Sequence, residues 1–275
     1  MPEIAKPKPH VNEARRHFLG LAAAAGARVS AVGLAISSFP FSANANNGVG
    51  WGVGGTPPGN GQSPKCFLRG TRIATSHGER AIEDLEMGDD VTTLEGASAM
   101  VKWIARQTYE RNAEGWPESV APIRIRRDAL GDATPARDLY LSPPHRLFID
   151  GYLIEARDLV NGVSILQEDP QTDRVEYFHV LLESHDILLA EGAPAASMQL
   201  GVDGHKSFAN AMEYERRYGR PQVQMKPYAQ TLGVGGKEHL AALLRIGASP
   251  FVQVRDPLRE IRARLAARSE ELCAL

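Results

Sequence analysis

From residue 66 onward the apolar positions fall in short alternating runs. Thr71–Thr75 alternates and is β-branched, and Asp90–Leu94 follows the turn-like Met87-Gly88-Asp89. Met100–Ala105 places Val101, Trp103 and Ala105 on one face. Val120–Arg126 alternates Ile123 and Ile125 with arginines, as a half-exposed strand does. Leu139–Leu141, Arg146–Ile149, Tyr152–Ile154, Val163–Leu166, Val175–Leu182 and Ile187–Ala190 extend the series. Gly151, Asn161-Gly162 and Glu191-Gly192 punctuate it. Short strands at short intervals predict an all-β domain of many hairpins over residues 66–199. Ile82–Leu85 and Glu155–Leu159 have room for one helical turn each.

Beyond residue 199 the period changes, and residues 200–275 read as a small, mainly helical extension. Lys206–Tyr218 predicts a helix stopped by Gly219 and Pro221, and Lys237–Arg245 a second ended by Gly247. Asp256-Pro257 reads as N-cap and first residue of a third. There Leu258, Ile261, Leu265 and Leu272 share one face, suited to packing on the β domain or on a protein partner. Arg259, Arg262, Arg264 and Arg268 alternate with Glu260, Glu270 and Glu271, the pattern of a solvated face. Cys273 reads as a frayed-tail thiol.

Residues 1–45 read as an address. Lys6, Lys8, Arg15 and Arg16 precede an Ala-rich apolar run through Ile36, and Ala43-Asn44-Ala45 supplies small residues at signal-peptidase spacing. The Arg15-Arg16-His17-Phe18-Leu19 opening resembles a bacterial twin-arginine export signal, which implies the twin-arginine machinery as a partner and a periplasmic or extracellular destination. An amphipathic helix and a retained anchor are the alternatives, although Arg28 interrupts the apolar run. Residues 46–65, rich in Gly and Pro, read as a linker.

Composition narrows the function classes. A formal net charge of −2 in 275 residues gives no electrostatic case for nucleic acid. Two cysteines make no disulfide framework, and no Cys/His spacing suits zinc, so neither metal nor cofactor is expected. A single Cys66–Cys273 bridge would depend on geometry that spacing does not supply.

Three stretches carry candidate chemistry: Cys66 with Gly70-Thr71, Ser142-Pro143-Pro144-His145, and His179 through His185-Asp186. A cysteine with histidines on separate strands is a set for thiol nucleophilic chemistry, because base and acid must converge. A free thiol has a pKa of about 8.5, and a nearby imidazole can raise its thiolate fraction or protonate a leaving amine. Each residue also has a structural reading. Cys66 can be a small buried hydrophobe, His145 a turn cap and His179 a satisfied core histidine. His185 can be a hairpin-end residue bonded to a carbonyl, and His77 beside Gly78 a turn residue.

The order of the pieces resembles a known family. CFLRGTRIATSHGERAIEDLEMGDDVTT is similar to the opening block of Hint domains, the fold shared by hedgehog autoprocessing domains and inteins. LSPPHRLF resembles the second block, with Ser142 where threonine is usual and His145 at the histidine place. YFHVLLESHDILLAEGAPAAS resembles the closing block of bacterial stand-alone Hint domains. The resemblance implies a Hint-type disc of short strands and an N–S acyl shift. Cys66 would attack the Lys65 carbonyl to form a thioester. His145 would protonate the departing nitrogen, Ser142 would hydrogen-bond near the same peptide, and His185 would assist a second nucleophile, water or a small thiol or amine. Thr71, His179 and Asp186 would support the site. The departures bear on the outcome. The closing block lacks the asparagine that inteins cyclise, which disfavours splicing, and Arg106 stands where hedgehog domains carry the aspartate of sterol transfer. The expectation is self-cleavage between Lys65 and Cys66, in a single turnover. The alternative is a silent Hint-like scaffold acting as an interaction module, and a Cys-His hydrolase acting on other chains is the third reading.

Overall fold

The computed structural model of the chain describes residues 65–221, 224–233 and 256–274. The address at residues 1–45, the linker up to residue 64 and the Lys237–Arg245 helix lie outside the described residues.

Fifteen strands are described. In order they are β1 Phe67–Leu68, β2 Arg72–Thr75, β3 Gly78–Ala81, β4 Asp90–Thr92, β5 Ser98–Met100, β6 Trp103–Glu110, β7 Ile123–Ile125 and β8 Leu139–Leu141. There follow β9 Arg146–Ile149, β10 Tyr152–Glu155, β11 Ile165–Gln167, β12 Arg174–Leu181, β13 Ile187–Ala190, β14 Ala193–Ala196 and β15 Gln230–Leu232. The helices are α1 Ala211–Tyr218 and α2 Pro257–Cys273. The predicted single turns are short 3₁₀ segments at Ile82–Asp84 and Ala156–Leu159. The all-β class holds, with helices confined to the region after residue 199.

The strands form a six-stranded sheet, β11-β7-β8-β1-β12-β6, and a nine-stranded one, β15-β10-β9-β14-β13-β2-β4-β5 with β3 beside β2. The longest ladder joins β6 and β12 from Trp103↔Leu181 to Glu110↔Arg174. The alternation read from the sequence is real where it was clearest: Ile123 and Ile125 are buried around a half-exposed Arg124. Met100–Ala105 is not one strand, because β5 ends at Met100 and β6 starts at Trp103. Between them the Val101 amide bonds to the Asp89 carbonyl.

The extension departs from its helical reading in two ways. The expected Lys206–Tyr218 helix is a 3₁₀ turn at Gly204–Ser207 followed by α1, which ends against Gly219 at φ 71°, a left-handed conformation that glycine adopts freely. Strand β15 pairs in parallel with β10, through Tyr152↔Gln230 to Ile154↔Leu232. The arginines of α2, with Arg259, Arg262 and Arg264 exposed as on a solvated face, also reach back to the β domain. Arg262 donates from Nε to the Asp158 carbonyl, Arg264 pairs with Asp150 at 2.5 Å, and Arg268 pairs with Asp132 at 2.8 Å and donates to the Asp128 carbonyl. Asp256 does cap α2, accepting from the Arg259 amide at 3.2 Å, with Pro257 at the first position.

Two larger cores and a small third one result. The first runs between the sheets through Phe67, Ile73, Ile123, Leu141 and Leu188, and Leu258, Ile261 and Leu265 of α2 belong to it. Burying each of those helix side chains contributes about 1.5–3 kcal/mol. The second gathers Cys66, Trp103, Tyr109, Trp116 and Tyr177 with Leu200, Phe208 and Tyr214 of the extension.

Candidate functional site

Strand β1 is only two residues long, yet it has partners on both sides, β8 and β12. Phe67 stands opposite Leu141 and opposite Phe178. One step toward the N-terminus, the same antiparallel registers bring Cys66 level with Ser142 on one side and His179 on the other. Strand pairing thus assembles the site, with Cys66 wholly buried at its centre.

Ser142 holds the Cys66 backbone with both of its bonding groups. Its amide donates to the Cys66 carbonyl at 2.9 Å, and its Oγ accepts from the Cys66 amide at 2.7 Å. A plain ladder would use the Ser142 carbonyl for the second bond. That carbonyl is taken by the His145 amide at 3.0 Å, because the chain turns at Pro143-Pro144. The hydroxyl fills the place, so the nitrogen of the Lys65–Cys66 peptide is bonded by a side chain.

The same turn delivers His145. Its ring lies 4.2 Å from Phe67 and 5.2 Å from His179, centroid to centroid. It is wholly buried, and neither ring nitrogen reaches a hydrogen-bond partner in good geometry. Burial pushes its pKa down to about 3, the Lys65 backbone opposing that shift and the charges of Lys65 and Arg146 adding to it. His179 is also buried and held well below the usual range, first by burial and then by His145. It is not the satisfied core histidine that its apolar strand suggests, since its Nδ1 has no partner. Both rings are neutral at pH 7, and each keeps a ring nitrogen without a well-aligned partner.

The thiol of Cys66 faces the second core. Burial raises its pKa well above the usual thiol range, so the resting group is S–H. Tyr109 and Tyr177 are raised as well, first by burial and then by Cys66. Tyr177 satisfies its hydroxyl on the Val120 carbonyl at 2.7 Å, whereas the buried Tyr109 hydroxyl is unpaired. Both cysteines are free, so no bridge joins Cys66 to the exposed Cys273.

On the Lys65 side a cavity of about 10 Å³ is lined by Lys65, His145, Arg146, His179, His185, Ser197 and Gln199. That is room for one water molecule. The Lys65 amine is lowered to about 8, mainly by burial and then by Arg146, with Glu155 opposing. His185 is lowered to about 4, again by burial first and then by Arg146 and Lys65. Its Nδ1 accepts the Tyr228 amide at 2.8 Å, a partner from the extension. The ring also bonds the Ser197 backbone, the kind of partner its hairpin-end reading expects.

The supporting residues separate. Asp186 bonds locally, with its amide on Ser197 Oγ at 2.9 Å and its Oδ1 on the Ile187 amide at 2.7 Å, and so fixes the start of β13 beside His185. Thr71 closes the turn after β1 by donating to the Leu68 carbonyl at 2.7 Å. Arg106 is exposed on β6, where its amide donates to Asn210 Oδ1 of the extension at 2.8 Å. Arg146, Tyr109 and Tyr228 were not read from the sequence as site residues. Arg146 carried one available signal, its place directly after His145. Among the described residues no group of three or more His, Cys, Asp or Glu side chains is placed to hold a metal ion.

An all-β disc that inserts the residue after a candidate scissile bond between two of its own strands defines a class of protein. The profile of the Hint domain family matches residues 65–202, and the chain belongs to that family. Among solved structures it is similar to the gp41-1 intein, at 13% identity over 48% of this chain and 98% of that one, with a TM-score of 0.35. It is also similar to a bacterial intein-like domain from Clostridium thermocellum, at 18% identity over 50% and 100% of the two chains, with a TM-score of 0.36. A DnaB intein from Synechocystis sp. PCC 6803 aligns at 12% identity over 49% and 99%, with a TM-score of 0.33. No curated protein sequence matches the chain.

Proposed function

We propose that this chain cleaves itself between Lys65 and Cys66 through an N–S acyl shift, without splicing and without sterol transfer. The observation that carries the reading is the Cys66 amide on Ser142 Oγ at 2.7 Å. In the step, Cys66 Sγ bonds to the Lys65 carbonyl carbon, the C–N bond breaks, and the thiol proton ends on the departing amine. His145, set by the same turn against the Lys65 backbone, delivers the proton. The strands supply the positioning, a contribution that can reach about 7–11 kcal/mol of barrier in well-oriented reactions. A second nucleophile, water or a small thiol or amine, then resolves the thioester. His179 packs against His145 and holds its ring plane.

The test is the intact mass of the full-length chain with and without dithiothreitol. The expected result is a fragment beginning at Cys66 that grows with thiol and is absent from Cys66→Ala. The same fragment in Cys66→Ala would mean ordinary proteolysis. A second reading, a silent scaffold that presents residues 200–275 to a protein partner, is favoured by the sealed thiol, buried and held as S–H. It predicts an unchanged mass under hydroxylamine as well as thiol. For residues 1–45 we propose twin-arginine export to the periplasm or beyond. Replacing Arg15-Arg16 by two lysines and finding the protein still exported would remove that proposal.

A further inference from the structure

Resolution of a thioester by water needs a base, because water is a poor nucleophile until its proton is taken. His185 is the histidine beside the cavity expected to serve, and its present hydrogen bonding bars it. A neutral imidazole has one donor and one acceptor nitrogen. The acceptor of His185, Nδ1, is occupied by the Tyr228 amide at 2.8 Å. The proton therefore sits on Nε2 and is held by the Ser197 backbone, so the ring has no free lone pair with which to take a proton. The cavity alongside, of about 10 Å³, has room for one water molecule.

The segment that supplies this amide is anchored piece by piece. The Met225 amide donates to the Leu200 carbonyl at 2.9 Å, and Gln199 Nε2 donates to the Met225 carbonyl at 3.1 Å. The Tyr228 ring meets Phe148 edge to face at 5.4 Å, and its hydroxyl donates to Glu95 Oε1 at 3.1 Å. Strand β15 then runs along β10. None of these anchors lies in the 65–202 stretch alone; each joins the Hint domain to residues beyond it.

The geometry points to the segment Met225–Leu232 as the element that governs resolution through His185: its Tyr228 amide occupies Nδ1, and His185 takes a proton from water only when that segment lifts and frees that nitrogen. Tyr228 is thus a positioning residue acting through His185. The inference rests on the thioester reading above. In the step it controls, the water oxygen bonds to the Lys65 carbonyl carbon, His185 Nδ1 takes the water proton, the C–Sγ bond breaks, and the proton passes to the Cys66 thiolate.

The test uses Tyr228→Pro, which deletes the donor, in the full-length chain. First, ¹⁵N NMR of the His185 ring is compared between Cys66→Ala and Cys66→Ala/Tyr228→Pro, where no cleavage intervenes. The expected result is an Nδ1 shift of a hydrogen-bonded acceptor in the former and of a free lone pair in the latter; an unchanged Nδ1 shift overturns the inference. Second, cleavage at Lys65–Cys66 is followed by mass, in buffer alone and with dithiothreitol. Tyr228→Pro is expected to raise the ratio of water to thiol cleavage at least about ten-fold, below the roughly 10²–10⁴ that a positioned base can supply. Equal ratios in both chains, with thiol cleavage present, overturn the inference while leaving the thioester reading intact. Thiol cleavage absent from both chains overturns both, since there is then no thioester to resolve. If Tyr228→Pro does not fold by circular dichroism, Phe148→Ala/Tyr228→Ala takes its place, loosening the ring anchor with the same expected direction.

Discussion

Replacing Ser142 by alanine removes one oxygen atom from the centre of the site. The serine is about 1% exposed, and its Oγ accepts the Cys66 amide at 2.7 Å. Cys66 is wholly buried, so water does not replace the lost acceptor. A buried donor left unsatisfied costs about 1–3 kcal/mol. The Ser142 amide bond to the Cys66 carbonyl survives in the variant, which keeps the strand in register and holds the cost near the middle of that range, about 2 kcal/mol. The measurement is urea unfolding of Cys66→Ala and Cys66→Ala/Ser142→Ala, so that no chemistry perturbs the transition. The expected result is a lower midpoint at unchanged slope. Ser142→Thr keeps the hydroxyl and should hold most of the midpoint. A loss below about 0.5 kcal/mol for Ser142→Ala, the size of an ordinary surface change, would refute the claim that the hydroxyl completes the β1–β8 ladder.

Further outcomes follow from the same geometry. His145 has a folded pKa of about 3 and an unfolded value near 6.5, so the unfolded chain binds the extra proton as pH falls. Stability should be full above pH 6.5 and fall toward pH 3; at pH 4 the His145 share is about 3 kcal/mol, and His145→Phe should lessen the drop measured by unfolding at pH 7.5 and pH 4. Leu265→Ala in α2 should cost about 2–5 kcal/mol by denaturant unfolding, because that side chain is 1% exposed in the first core. Arg264→Ala should cost at most about 1 kcal/mol, since the Arg264–Asp150 pair is half exposed. Cys66→Ala should leave one intact mass in dithiothreitol where the parent gives a shorter species.

The strands read from the sequence were those with one apolar face, such as β7, or with a continuous apolar run, such as β13. Those missed break the pattern for identifiable reasons. Strand β3 is Gly-Glu-Arg-Ala and lies off the main order of its sheet, paired only with β2. Strand β14 carries Pro194, tolerated because its pairing to β9 is the single step Ala195↔Leu147. Strand β15 is Gln-Thr-Leu, half polar, and finds its partner on β10 far back in the chain. At the site, Ser142 and His145 were legible because they share one short turn. Tyr228 was not, since its contribution is a backbone amide, which every residue but proline has. The ion pairs of the α2 arginines were not legible, because the acids that meet them, Asp132, Asp150 and Asp158, lie far back in the chain.

Helix α2 has a consequence for how the molecule comes into being. The strands around Cys66 are all made by residue 181, yet the core they share with Leu258, Ile261 and Leu265 is walled only by residues synthesised some eighty positions later. A nascent or truncated chain has the cysteine, the serine and the histidines but leaves that wall open to water. The thiol itself faces the second core, so what waits for the helix is the packing around Phe67, the residue beside it. The helix acts as a clasp, fastening the strand that carries Phe67 to a segment far along the chain.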